Sequence, residues 1–168
     1  MNTKIRKLTY IALLTSLATL LVAPFLRVPS PYGGVMHVAD SIIFVTAVFF
    51  GPVPAAIVGG IGHSLANILF GPQIFAPWTL VIKGIMGFVV GLIAYKQPVK
   101  SFRLWIGLIC ALIILLVGYF TAASVIFMTG GSASAPAPLI FAASNATQWG
   151  ASVAVTLILL PIMKKILK

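Results

Sequence analysis

Asp40 and Lys83 are the two residues in this chain whose types and positions most clearly indicate chemistry. Asp40 is the only acid among 168 residues, and Lys83 lies inside an apolar segment. A charge within hydrocarbon costs roughly 2.5–3.5 kcal/mol even on the mildest insertion scale. Keeping one anion and one cation in apolar segments therefore indicates a use for them. They either neutralise each other as a structural pair or bind a polar ligand.

Other hydrogen-bonding and aromatic side chains accompany these charges in apolar segments. Stacking rings, imidazoles and amides are the groups that recognise a small polar ligand in a largely apolar pocket. Each also has a structural alternative, as an interhelical hydrogen bond or a member of the aromatic belt. The candidate substrate-binding residues are His37, Asp40, His63, Asn67, Trp78, Lys83, Asn145, Gln148 and Trp149.

The sequence offers little for catalysis, metal binding or nucleotide hydrolysis. One acid cannot form a carboxylate pair, and two distant histidines give no metal-ligand spacing. The glycine-rich segment 59–64 lacks the Gly-Lys-Ser/Thr ending of a phosphate loop, and no Walker motif occurs. Cys110 is the only cysteine, so no intrachain disulfide can form. We therefore predict no catalytic residue, no metal and no cofactor in this chain, and no enzyme activity.

Composition places the chain in a membrane. It is 61% hydrophobic and 7% charged, with a mean hydropathy of +1.16, which a soluble domain of this size would not need. The net charge of +10 does not indicate a nucleic-acid partner, because the basic residues form short clusters between apolar runs, as topology signals do. We predict a multi-pass protein of a cell membrane, the bacterial plasma membrane, surrounded by the lipid bilayer.

The apolar runs predict an all-α fold in which residues 1–168 form a single domain of six transmembrane helices. The second run is short and would have to sit upright or in a thinned region. Glycines in the third and fourth runs would allow these two helices to pack closely. The runs are about Leu8 to Leu26, His37 to Phe50, Val53 to Phe70, Trp78 to Tyr95, Leu104 to Met128 and Leu139 to Met163.

The distribution of basic residues predicts that both termini are cytoplasmic. Only Arg27 falls on the opposite side from the other loop charges. In this orientation the candidate binding residues lie at one depth, in the outer halves of four spans. That arrangement favours a pocket open to the outside over a channel, in which polar groups would run through the full thickness. The cytoplasmic clusters are Lys4, Arg6 and Lys7, then Lys96, Lys100 and Arg103, then Lys164, Lys165 and Lys168.

Small residues mark one face of the first span. Ala12 and Ser16 are four residues apart and form a groove in which another helix can approach closely. The groove either packs within the chain or docks a separate membrane protein.

Several short motifs resemble, in combination, a known family. The sequence resembles the substrate-binding S components of energy-coupling factor (ECF) vitamin transporters, in the branch with hydroxymethylpyrimidine, pyridoxine-like and riboflavin members. The resemblance covers about Thr3 to Tyr95, and beyond it only hydropathy and length agree. The motifs are Lys7 to Leu14, His37-Val38-Ala39-Asp40, Phe50-Gly51-Pro52, Gly59-Gly60-Ile61-Gly62, Val81-Ile82-Lys83-Gly84 and Gly91-Leu92-Ile93.

This resemblance implies a vitamin pocket near the outer face and docking through the first span to a membrane T component with two cytoplasmic ATPases, which use ATP. The family's docking motif maps onto Ala12 and Ser16, with Ser16 in place of the commoner alanine. We expect a small heteroaromatic substrate, hydroxymethylpyrimidine or a pyridoxine-like ring, with the larger riboflavin second. The alternative is a self-sufficient ion-coupled carrier or channel, although the inverted repeats that would favour a carrier are not found.

Overall fold

The described part of this chain contains six α-helices, and the prediction of an all-α fold is confirmed. The computed structural model describes residues 3–29, 35–130 and 138–166, so most of the loop predicted at 130–138 lies outside the described residues. Two strands of two residues each, β1 (Val28–Pro29) and β2 (Val35–Met36), pair antiparallel before the second helix. The helices are α1 (Thr3–Leu20), α2 (Asp40–Phe50), α3 (Pro52–Phe70), α4 (Ala76–Ala94), α5 (Phe102–Met128) and α6 (Pro138–Ile166).

The helix ends agree with the predicted spans except in the first two. α1 ends at Leu20 rather than Leu26, because Pro24 has no N–H to donate to the Leu20 carbonyl. A 3₁₀ turn follows at Pro24–Leu26. α2 begins at Asp40 rather than His37, which leaves it 11 residues long. Gly51 alone joins α2 to α3, with a φ of 88°, a conformation that glycine adopts without strain.

Four helices are long and apolar enough to cross a membrane: α3, α4 with the turn before it, α5 and α6. α2 is apolar but shorter, about 16 Å at the rise of an α-helix. α1 begins with basic residues and is not among the four. Helix length and composition therefore support a membrane protein with four candidate spans among the described residues. The six spans stay a prediction.

α2 lies at the centre of the bundle. Its residues from Asp40 to Val48 are all buried, and it contacts α1, α3, α4 and α6. Because Asp40 is the first residue of this helix, its carboxylate lies between the neighbouring helices near one end of the bundle. The opposite end is formed by the C-terminus of α2, the α4–α5 connection and the last turns of α6.

Glycines bring α3 and α4 close together, as predicted. A Cβ atom at Gly59 or Gly60 would meet the backbone carbonyl oxygen of Lys83 or Leu80 on α4. A Cβ atom at Gly91 would meet the backbone of Pro52 on α3. The two helix backbones can approach this closely only because these positions carry no side chain.

The close approach predicts different effects of the same substitution at two helical glycines. Gly91→Ala should lower stability by roughly 1–3 kcal/mol, because rigid backbone must move to accept the methyl group. Gly150→Ala is the control, since nothing lies within 4 Å of a Cβ atom there, and the higher helix propensity of alanine should leave stability equal or higher. Thermal unfolding in detergent measures both. Equal midpoints for the two variants would contradict the packing described.

Candidate functional site

A buried ion pair forms the centre of the polar network. Asp40 is 0% exposed and Lys83 is 1% exposed. The Lys83 Nζ atom donates to Asp40 Oδ1 at 2.7 Å and to Oδ2 at 2.6 Å. Asp40 lies in the first turn of α2, where the helix dipole also stabilises a negative charge. The structure thus joins the two charges that the sequence singled out.

Two further side chains surround the same carboxylate. Gln148 of α6 donates from Nε2 to Asp40 Oδ2 at 3.0 Å. His63 of α3 places Nε2 3.0 Å from Asp40 Oδ1, but the ring does not direct an N–H along that line, so this is an electrostatic contact and not a hydrogen bond. An ionised carboxylate offers about four lone-pair sites, so Asp40 is nearly saturated by groups from its own chain.

Among the described residues, the two histidines carry the buried side-chain atoms that have no hydrogen-bond partner. The unpartnered buried atoms are His37 Nδ1 and both ring nitrogens of His63. The ring centroids of His37 and His63 are 5.8 Å apart. The two histidines are therefore distant in the sequence but neighbours in the fold. His37 lies outside the helices, and desolvation of its ring lowers its pKa from 6.5 to about 3, which keeps the imidazole neutral near pH 7.

A cation–π contact connects the ion pair to a separate group of hydrogen-bonded side chains. The Lys83 Nζ atom lies 5.7 Å from the centroid of the Tyr119 ring. The Tyr119 hydroxyl and Thr79 Oγ1 are 3.0 Å apart, and Asn67 Nδ2 donates to Thr79 Oγ1 at 2.7 Å. Tyr119 and Thr79 were not among the predicted site residues. The sequence signal was weak, a single phenol within the long apolar α5.

Three predicted site residues have other contacts. Asn145 is buried, and its Nδ2 donates to the Phe141 carbonyl of its own helix at 2.8 Å. Trp149 Nε1 donates to the Leu108 carbonyl at 3.0 Å, which joins α6 to α5. Trp78 is half-buried and packs against the main apolar core. The Asp40 carboxylate takes part in none of these three contacts. The assignment of Asn145, Trp149 and Trp78 to the binding site stays a prediction.

His37, Asp40 and His63 also have the composition of a metal-ligand set, with candidate ligand atoms within 4.8 Å of one another. The spacing of the two histidines in the sequence did not predict this cluster, because it forms only where the fold brings the start of α2 beside α3. Lys83 already neutralises the carboxylate through both oxygens, so a divalent cation would add uncompensated charge in a buried site. The absence of a metal stays a prediction.

The small-residue face of α1 points away from the bundle. Ala12 and Ser16 are exposed, whereas Ala18 and Thr19 are buried. The buried side packs against α3, where Thr19 Oγ1 donates to the Gly62 carbonyl at 2.9 Å. Packing within the described part of the chain therefore does not account for the groove at Ala12 and Ser16.

The saturated carboxylate predicts unequal effects of single and double substitutions. Lys83→Met should cost up to roughly 3–5 kcal/mol, because it leaves the buried Asp40 without its cation. The double variant Asp40→Asn with Lys83→Met should be closer to the parent, since it removes both charges and retains an acceptor for Gln148. Thermal unfolding in detergent gives the comparison. A double variant less stable than Lys83→Met alone would contradict this account.

Comparison with known proteins gives the family. Residues 2–168 match the family described as "ECF-type riboflavin transporter, S component". The thiamine precursor transporter HmpT of Lactococcus lactis subsp. cremoris is 28% identical over 132 residues, covering 78% of this chain and 75% of the relative. An uncharacterised protein in the gap 3′ region of Pyrococcus woesei is 35% identical over 107 residues, covering 63% of this chain and 71% of the relative.

These matches confirm the resemblance seen in the motifs, and they extend it from the first four helices to the whole sequence. They also confirm that the chain is a transport protein and not an enzyme. The apolar helices α3–α6 agree with a subunit that resides in a membrane. The chain therefore belongs to the family of S components of ECF-type transporters.

Proposed function

We propose that this chain is the substrate-capture subunit of an ATP-driven vitamin importer and that it binds a small heteroaromatic vitamin or precursor from outside the cell. The observation that carries the proposal is the group of unpartnered imidazole nitrogens beside the saturated Asp40 carboxylate. A buried polar atom without a partner costs free energy. A ligand that hydrogen-bonds to these nitrogens would remove that cost.

The chemistry of the site favours an uncharged ring. Asp40 and Lys83 neutralise each other, so the site carries no net charge that would select an ionic ligand. A substituted pyrimidine or a pyridoxine-like ring offers ring nitrogens, an amino or hydroxyl group and a flat face, and these suit the two imidazoles and the nearby aromatic rings. Hydroxymethylpyrimidine agrees with the thiamine precursor named for the Lactococcus relative. Riboflavin, named for the family, is the second candidate.

The residues take two roles in this proposal. Asp40 and Lys83, with Gln148, hold α2, α4 and α6 in register and orient His63. His37 and His63 provide the direct hydrogen bonds to the ligand. Asn67, Trp78, Asn145 and Trp149 remain candidates for the lining of the site.

Energy for uptake comes from other subunits. All six helices would cross a bacterial plasma membrane, with both termini in the cytoplasm and the Asp40 network in the outer half. The exposed face of α1 at Ala12 and Ser16 would dock a membrane T component, to which two ATPases supply the energy of ATP hydrolysis. A self-sufficient channel is less well supported, because the side-chain network stays near one end of α2 instead of following the full depth of the bundle.

Ligand binding to the purified protein tests the proposal. Mass spectrometry of the co-purifying small molecule identifies the class, and calorimetry with hydroxymethylpyrimidine, pyridoxine and riboflavin ranks the candidates. His63→Ala should weaken binding at least about tenfold through the lost hydrogen bonds, and the unliganded protein should stay equally stable or become more stable. Asn145→Ala is the control and should change affinity less than about threefold, because its amide bonds to its own helix. A parent protein that binds none of the three compounds would contradict the substrate class.

Docking through α1 gives a separate prediction. Ala12→Leu and Ser16→Leu should fill the exposed groove, so that association with the T component and vitamin uptake fall while ligand affinity stays the same. Thr121→Leu adds similar bulk to an exposed position on α5 and should leave assembly unchanged. Co-purification of tagged subunits measures association. Normal assembly by both α1 variants would exclude this face as the docking surface.

A further inference from the structure

The basic residues at the end of the bundle opposite Asp40 find no acid in their own chain. The sequence contains 11 Lys and Arg residues and a single acid, and that acid is buried against Lys83. Any ion pair that the remaining basic residues form with an acidic side chain is therefore with another molecule. This holds whichever side of the membrane the termini occupy.

Two of these basic residues flank a cleft at that end. The cleft has a volume of about 580 Å³ and lies between the C-terminal turn of α2, the α4–α5 connection and the last turns of α6. Lys96 and Lys164 contribute the ammonium groups, and among the described residues neither has an acidic partner within salt-bridge distance. The remaining lining is Val48, Phe49, Gln97, Pro98, Val99, Leu160 and Pro161, so most of the wall is apolar.

Lys96 occupies a backbone position that favours glycine. It directly follows Tyr95, the C-terminal cap of α4, and has a φ of 58°. A residue with a side chain pays a free-energy cost in this left-handed conformation. The conformation is held by a hydrogen bond from the Lys96 N–H to the Val48 carbonyl at 2.8 Å. The chain thus carries a long cationic side chain at the cleft where glycine would fit with less strain.

We propose that this cleft binds the phosphate headgroup of an anionic phospholipid from the adjacent leaflet. Lys96 and Lys164 would contact the phosphate, and Val48, Phe49, Val99 and Leu160 would contact the glycerol and the first methylenes of the acyl chains. Basic pockets between membrane helices bind anionic headgroups in this way. A lipid fits better than a soluble anion, because the apolar walls and the position at the helix ends match an amphiphile.

Two double variants with the same change in net charge test the site. Lys96→Gly with Lys164→Gln removes both ammonium groups from the cleft, and the glycine also relieves the positive φ, so the fold should not be weakened. Lys100→Gln with Lys165→Gln is the control, because both lysines are exposed and neither lines the cleft. Each purified protein is titrated with phosphatidylglycerol, phosphatidylcholine or inorganic phosphate. Thermal unfolding and native mass spectrometry provide the two measurements.

Phosphatidylglycerol should raise the unfolding midpoint of the parent by about 2–5 °C more than phosphatidylcholine does. The cleft variant should lose most of this difference and bind phosphatidylglycerol roughly tenfold more weakly, whereas the control variant should keep both. Equal losses in the two variants would show a response to net charge alone and overturn the proposal. Inorganic phosphate that reproduced the stabilisation would indicate a soluble anion instead. A cleft variant with unchanged lipid binding but weaker association with a partner protein would assign the cleft to that protein.

Discussion

A carboxylate removed from water has to find its partners inside the protein, and this requirement organises the bundle. Asp40 meets it with the ammonium group of Lys83, the amide of Gln148 and the imidazole of His63. Each partner comes from a different helix, so one side chain ties α2 to α3, α4 and α6. Removal of Lys83 or Gln148 leaves the Asp40 carboxylate with fewer hydrogen bonds in a low-dielectric interior, where such a group is costly.

The glycines of α3 make this arrangement sterically accessible. Gly59 faces the backbone carbonyl of Lys83, the same residue whose ammonium group reaches Asp40. A side chain at Gly59 would push α4 away and withdraw the lysine from the carboxylate. The close packing of α3 against α4 therefore also places the Lys83 ammonium group within hydrogen-bond distance of the Asp40 carboxylate.

The bundle has chemically different ends, and our proposals assign a separate role to each. Near the start of α2, unpartnered imidazoles beside a neutralised ion pair suit a small polar ring. At the other end, two lysines that have no acidic partner among the described residues flank an apolar cleft and suit an anionic amphiphile. The exposed small-residue face of α1 is available to a third kind of contact, with another membrane helix. Because these surfaces are separate, the same small subunit could bind its substrate, an anionic lipid and a partner membrane helix at the same time.

The sequence by itself determined the membrane class, the helical fold and the family, and it singled out Asp40 and Lys83, because hydropathy and isolated charges in apolar runs are local properties. The helix bounds from α3 onward also followed from local signals, in particular proline and glycine. Only the tertiary structure decided which polar residues meet. It placed His37 beside His63, added Tyr119 and Thr79, and gave Asn145 and Trp149 partners within α6 and on α5. Helical periodicity gives the face and depth of a side chain, but the rotation and approach of neighbouring helices depend on packing across the whole bundle, and these decide every contact between helices.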